Sequence, residues 1–293
     1  MNPYENAPDM REEPQVTWTV VHVLYTSFEA RTKLLTTHGP PLVPSLESDG
    51  QWFFADIPID TATGSCHGLE VAIRHRVGDE AVHKRLGAWL RDSLTSGLSS
   101  AASFATASVV LQPGLFLGGL VPDKYPDALA VASGRAGAIL RSVAKLGGIR
   151  ASAVAVREEL GAIYRAFLPD EDERAQALLF HAKWLESLSS PRPGKTPEAR
   201  ESRAEPRTDF RELELPALQP YDAVAEHLRA QLGGVTGGTH DRDWWNYSKL
   251  CTTLLARFGH IQVVRLWGPE YPEAFLREAE ILRGLASTGA VPP

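Results

Sequence analysis

The sequence predicts an α+β fold, with strands and helices mixed in its first half and helices dominating its second. Two observations carry that expectation. Val16 to Tyr25, Gln51 to Ile57 and Leu69 to Val77 are short runs of β-forming residues, and from Ser133 onward apolar residues recur at helical spacing. Strand-rich and helix-rich stretches that segregate along a chain, instead of alternating, belong to this class.

The elements follow in order. After the first strand, Thr26-Ser-Phe-Glu29 supplies a capping box, a Thr hydroxyl and a Glu carboxylate for the orphan amides of a helix running through Leu35. The strands at Gln51 to Ile57 and Leu69 to Val77 are joined by a turn region rich in Thr, Gly and Ser. An amphipathic helix spans about Glu80 to Leu94, with Val82, Leu86, Trp89 and Leu90 on one face. Ser96 to Val121 lacks charges but is broken by Gln112-Pro113-Gly114, which suits a buried strand-turn-strand at Val109 to Leu120 better than a membrane span. Helices are expected at Ser133 to Lys145, Ala151 to Phe167, Glu171 to Leu188, Tyr221 to Leu232, Asp243 to Phe258 and Glu270 to Leu285. Between Ser189 and Asp209 the composition turns to Pro, Arg, Glu, Ser and Lys, which cannot bury apolar surface and reads as a loop or linker within one domain over 1–293.

Composition bounds the function. The hydrophobic fraction of 43% and charged fraction of 23% are those of an ordinary globular protein. A net charge of −6 argues against a broad basic surface for nucleic acid. Cys66 and Cys251 are too few for a disulfide framework and sit in no ligand spacing, and the polar, acidic Met1 to Gln15 carries no secretion signal. A cytoplasmic protein is expected.

Two clusters could carry chemistry. Strand parity puts Leu69, Val71 and Ile73 on one side and Glu70, Ala72, Arg74 and Arg76 on the other, so one face is expected to be core and the other to offer charge. The plain alternative is a solvated sheet face with cross-strand ion pairs. The functional one is a groove floor whose guanidinium groups hold carboxylates or peptide carbonyls while Glu70 moves a proton. The second cluster is Gly237-Gly-Thr-His-Asp-Arg-Asp-Trp-Trp-Asn-Tyr-Ser248, which gathers His240, Trp244, Trp245, Asn246, Tyr247 and Ser248 at a helix start. Against it, Asp243 is a good N-cap, and Tyr247, Leu250, Cys251, Leu254 and Phe258 follow helical spacing, so Tyr247 can equally be a core residue. His181, His227 and His260 are scattered without metal-ligand spacing. Gly114-Leu-Phe-Leu-Gly-Gly lacks the dinucleotide order, and no GxSxG, HExxH or P-loop occurs.

The order of a strand containing Trp18, Leu34-Leu35, Pro40-Pro-Leu42, Gln51-Trp-Phe-Phe54 and Gly68-Leu-Glu-Val-Ala-Ile-Arg74 resembles the lantibiotic dehydratase C-terminal, or thiopeptide-type bacteriocin biosynthesis, family. The likeness covers roughly Val16 to Val77. It implies a small antiparallel sheet with added helices, and one of two activities. Elimination enzymes remove an α-proton from a glutamylated Ser or Thr and expel glutamate. Pyridine synthases join two dehydroalanines in a formal aza-[4+2] cycloaddition, then lose water and the leader peptide. The family's "HLRLR"-like strand has Glu70 where an arginine is expected, and its late "HMHxNR"-like motif reads Thr239-His-Asp-Arg-Asp-Trp-Trp-Asn-Tyr-Ser248. An anion in a carboxylate-binding position repels glutamate, which favours the synthase.

That resemblance implies Glu70, His240 and Tyr247 as acid/base groups, Ser248 and Arg74 as donors that polarise an amide, and Trp244 and Trp245 against the azoles of the substrate. Arg74 and Arg76 would hold the leader of a dehydrated, azole-containing precursor peptide, with Asn246 nearby. No metal or organic cofactor is required. A non-catalytic leader-binding subunit is the alternative from another functional class.

Overall fold

The computed structural model describes residues 16–36, 52–61, 64–76, 80–107, 125–189, 218, 220–235, 241–269 and 274–288. Among them are four strands and eight helices. In chain order these are β1 (Val16–Tyr25), α1 (Phe28–Thr36), β2 (Trp52–Thr61), β3 (Gly64–Arg76), α2 (Glu80–Thr95), β4 (Ser99–Ala107), α3 (Tyr125–Lys145), α4 (Ala153–Phe167), α5 (Glu171–Ser189), α6 (Asp222–Val235), α7 (Asp241–Trp267) and α8 (Ala274–Thr288). The α+β class is as expected, and the sheet is antiparallel throughout in the order β2-β3-β1-β4.

Several boundaries differ for physical reasons. The Thr/Gly/Ser region read as a turn is paired ladder: β2 runs on to Thr61, opposite Gly64 of β3. Polar β-formers satisfy backbone groups in a hairpin as well as apolar ones do. The charge-free stretch from Ser96 contributes β4 at Ser99–Ala107, and the strands expected at 109–120 lie outside the described residues, as does the Pro/Arg-rich stretch after Ser189. Helix α3 begins two turns before Ser133, with Pro126 in its first turn, where a missing amide hydrogen costs nothing. At α1 the cap is Ser27, whose hydroxyl accepts from the Ala30 amide at 3.0 Å, while the Thr26 hydroxyl donates to the Gly97 carbonyl at 3.0 Å and the Glu29 carboxylate pairs with Lys33. Asp243 is not a cap, because α7 already starts at Asp241. That helix also continues nine residues past Phe258. Gly259 does not stop it; a Cβ there would meet Leu160 Cδ2 at 3.2 Å and His181 Cε1 at 3.4 Å, so the glycine permits close approach of α4 and α5.

Residues directly opposite in an antiparallel sheet share a face. Thr19, Val21 and Val23 of β1 therefore lie with Ile73, Val71 and Leu69 of β3 and with Trp52, Phe54 and Asp56 of β2. This face packs on helices. The Ser133 hydroxyl of α3 accepts from the Phe54 amide at 3.1 Å, and Arg265 of α7 donates to the Phe54 carbonyl at 2.6 Å. From α1, Arg31 forms a fully buried bidentate pair with Asp56 and donates to the Arg265 carbonyl at 2.9 Å. Thus three guanidinium-centred contacts hold α1, β2 and α7 together in the interior.

A second polar core sits among the helices. Arg135 of α3 donates to both oxygens of Glu159 on α4, the Tyr221 hydroxyl donates to Glu159 Oε1 at 2.6 Å, and Gln262 of α7 donates to the same oxygen at 2.9 Å. Burial, and then Glu159, push the Tyr221 phenol well above its ordinary pKa, so it stays a donor. For Arg135 burial works to lower the pKa, but the Glu159 carboxylate outweighs it and the net shift is upward.

Helix α7 ends at Gly268, whose φ of +89° is costly for any residue with a side chain. A Cβ there would also overlap the Phe28 ring. Gly268→Ala is expected to destabilise by about 1–3 kcal/mol, read as a lowered urea midpoint with an unchanged slope.

Candidate functional site

The other face of the sheet carries Trp18, Val20 and His22 of β1 opposite Arg74, Ala72 and Glu70 of β3, with Phe53 and Ala55 of β2 alongside. It was expected to offer charge to solvent. At its centre it does not: Ala72, Phe53 and Trp18 are buried, and Trp18 and Phe53 pack at a ring separation of 5.5 Å.

Glu70 is buried too, and it is not alone. His22 Nε2 donates to Glu70 Oε2 at 2.8 Å; the imidazole side chain is 43% exposed and the carboxylate 5%. The pairing follows from register, because His22 and Glu70 are directly opposite in the β1–β3 ladder. Glu70 Oε1, also buried, has no hydrogen-bond partner. With Nε2–H donated inward, the neutral imidazole keeps Nδ1 as its lone-pair nitrogen. A carboxylate that orients an accessible imidazole and stabilises its charged form is the arrangement that general-base and general-acid catalysis uses. Glu70 is therefore the inner member of the pair, and His22 is the member that solvent reaches.

His22 escaped the sequence reading. Alternation along β1 puts it on the face of Trp18, but its significance depends on which β3 residue stands opposite, and that is a long-range fact. Arg74 is half-buried on the same face, opposite Trp18 and about 13 Å along the strand from Glu70. Arg76 ends β3 opposite Val16, and its side chain lies outside the described residues, as does His240 altogether. Trp244, Trp245, Asn246, Tyr247 and Ser248 lie in the first two turns of α7, where only the backbone course is described. Of the expected site residues, then, Glu70 and Arg74 are seen on one surface. Leu254 and Phe258, further along α7, are buried as the helical spacing required.

Two further histidine clusters occur. On the helix-covered face, Thr19 Oγ1 lies 2.8 Å from His75 Nε2 and 3.1 Å from His83 Nε2. One hydroxyl has one hydrogen, so at least one of the two imidazoles presents its N–H to the oxygen. Elsewhere His181 and His260, which sequence spacing left scattered, flank one buried carboxylate, Glu278. Among the described residues no group of three His, Cys, Asp or Glu could hold a metal ion, and no helix is long and apolar enough to cross a membrane.

No family model matches the chain, and no curated protein matches it. Among solved structures it is similar to the tRNA-dependent lantibiotic dehydratase MibB from Microbispora sp. 107891, with 17% sequence identity and a TM-score of 0.39 over 97% of this chain and 26% of that one. The chain thus spans about a quarter of the length of that protein.

Proposed function

We propose that this chain is an acid–base enzyme acting on a ribosomally made peptide, and within that class a thiopeptide pyridine synthase. The observation that carries the reading is the His22–Glu70 pair, which stands on the two strands whose residues resemble the thiopeptide-type family. In the aza-[4+2] reaction a backbone amide must become its iminol. His22 Nδ1 takes the amide N–H proton and the resulting imidazolium, held by Glu70, returns it to the amide oxygen. Ring closure then joins the 2-azadiene to the second dehydroalanine. The neutral imidazole that this leaves takes a ring C–H proton and, as imidazolium, gives it to the departing hydroxyl, and a second such cycle gives one to the departing leader amide. Arg74 polarises the amide carbonyl, and Ser248, Tyr247 and His240 are proposed as further donors. Trp244, Trp245 and Asn246 would line the azole-bearing segment, and Arg76 would hold the leader. Holding two distant alkenes together supplies much of the acceleration. The partner is a leader-bearing, dehydrated, azole-containing precursor, and the chemistry needs no cofactor.

The same observation favours a second reading. Expulsion of glutamate was disfavoured because Glu70 alone would repel it, but the imidazolium that forms when His22 takes the α-proton lies 2.8 Å from Glu70 and offsets its charge before glutamate departs. A base that removes the α-proton of a glutamylated residue could then be His22 itself.

The test is incubation of the purified protein with a leader-bearing azole peptide containing two dehydroalanines, followed by mass spectrometry. A pyridine macrocycle and a released leader amide support the synthase. Loss of glutamate from a glutamylated precursor, with the dehydrated peptide unchanged, supports elimination. Leader binding with no conversion of either peptide means a recognition subunit and overturns both enzymatic readings.

A further inference from the structure

Between Asp127 and Glu158 the chain carries five cations and no acid, in a protein whose net charge is −6. Arg135 is one of the five, and its charge is met by Glu159. The other four, Arg141, Lys145, Arg150 and Arg157, lie in or within two turns of the bend that joins α3 to α4. The Arg135–Glu159 contact makes α3 and α4 antiparallel neighbours, so the bend is the tip of a helical hairpin. Of the other charges at the tip, Glu29 and Lys33 on α1 pair with each other and cancel, and Glu158 opens the acidic part of α4.

Three of the eight exposed large hydrophobic side chains among the described residues stand at this tip: Leu146 is 46% exposed, Ile149 42% and Val154 60%. A single exposed apolar side chain is ordinary on any protein, but three of them rimmed by cations mark an interaction surface. Fraying of the bend does not account for the exposure. The Gly147 and Gly148 amides donate to the Ala144 and Val143 carbonyls, each at 3.0 Å, and close the end of α3. The Ile149 carbonyl accepts from the Thr32 hydroxyl at 2.9 Å, and the Ala151 amide donates to the Leu266 carbonyl at 3.2 Å. The Trp267 indole donates to the Ala151 carbonyl at 3.0 Å, and the Ser152 hydroxyl caps α4 by accepting from the Ala155 amide at 3.0 Å. The backbone is thus tied to α1 and α7 while the apolar side chains meet water, and little ordering entropy opposes a partner that covers them.

We propose that the α3–α4 tip docks the protein on an anionic lipid surface, with Leu146, Ile149 and Val154 entering the interface and Arg141, Lys145 and Arg157 on the headgroups. Charge complementarity carries the choice of partner: a run of cations without acids, on a chain that is acidic overall, seeks an anionic surface. The apolar side chains decide which kind. They stand on a turn between two helices and do not line a groove. A fluid interface closes round each of them, whereas a peptide needs a groove for its own apolar side. The attachment is peripheral, since no helix among the described residues is long and apolar enough to cross a membrane. It uses neither His22 nor Glu70, so it stands or falls independently of the peptide reaction proposed above.

The experiment is co-sedimentation of the full chain with vesicles of phosphatidylcholine alone and of phosphatidylcholine containing about 30% phosphatidylglycerol, at about 0.1 M salt. The chain is expected to pellet with the anionic vesicles and to stay in solution with the neutral ones. Arg141→Gln/Lys145→Gln should weaken binding about 25-fold, fivefold for each cation, and Leu146→Ser/Ile149→Ser at least tenfold. All four side chains are exposed, and circular dichroism checks that both variants keep their helices. No pelleting with anionic vesicles, equal pelleting with both lipids, or unchanged binding in either variant would overturn the proposal. Capture of polyglutamate without capture of vesicles would assign the tip to an acidic partner and overturn it equally. Should a variant lose its fold, the unsubstituted protein decides: vesicle binding that does not weaken between about 0.1 and 0.5 M salt means that the cations do not carry it, and the proposal is wrong.

Discussion

Replacement of Glu159 by alanine is expected to lower the unfolding free energy by about 3–5 kcal/mol, the largest effect of any single substitution considered for this fold. Glu159 is the common acceptor for Arg135 of α3, bidentately, for the hydroxyl of Tyr221 just before α6, and for Gln262 of α7. Its removal strips the buried Arg135 guanidinium of its carboxylate and leaves the Tyr221 hydroxyl, itself buried, with no acceptor there. Each loss carries a desolvation cost, and the charged group dominates. Two controls divide the effect. Tyr221→Phe removes one hydrogen bond and should cost about 1 kcal/mol, and Glu159→Gln, which keeps the volume but not the charge, should fall between. Urea unfolding followed by circular dichroism checks all three. A loss below about 1 kcal/mol for Glu159→Ala would mean that water reaches the network and that it is not the interior tie between α3, α4, α6 and α7.

His22→Ala is expected to lower turnover about 10²–10⁴-fold and stability by about 1–3 kcal/mol, because it takes from the buried Glu70 carboxylate its hydrogen bond to the ring. Glu70→Gln should slow the reaction less, since the amide can still meet the ring while its charge no longer supports the imidazolium. The pair acts as a unit, so the double variant His22→Ala/Glu70→Gln should be no slower than His22→Ala alone. Additive losses would show that Glu70 acts independently of His22, as a direct acid or base, and would restore the role that strand parity first suggested.

The departures from the sequence reading share a cause. The extents of α2 and α4 were readable because helical periodicity is local: Val82, Leu86, Trp89 and Leu90 all face the core as their spacing requires. The ends of α3 and α7 were not, since Pro126 and Gly259 are punctuation in isolation and become a first-turn residue and a close-packing site only when neighbouring helices are present. Glu70 and Arg74 were placed on the correct face, and Glu70 was still given the wrong environment, because parity says which way a side chain points and nothing about what covers it.

The sequence by itself determined the α+β class, most helices, the parity of β3 and the absence of simple catalytic motifs, all of which depend on residues within a few positions of one another. Only the tertiary structure decided the pairings that matter for chemistry. His22 meets Glu70 through strand register across 48 positions, and His181 and His260 share Glu278 through the packing of α5, α7 and α8. Such contacts join groups whose separation along the chain carries no period, and burial, which is a property of the assembled core, then sets whether each carboxylate is a solvated charge or a partner that fixes where a proton resides.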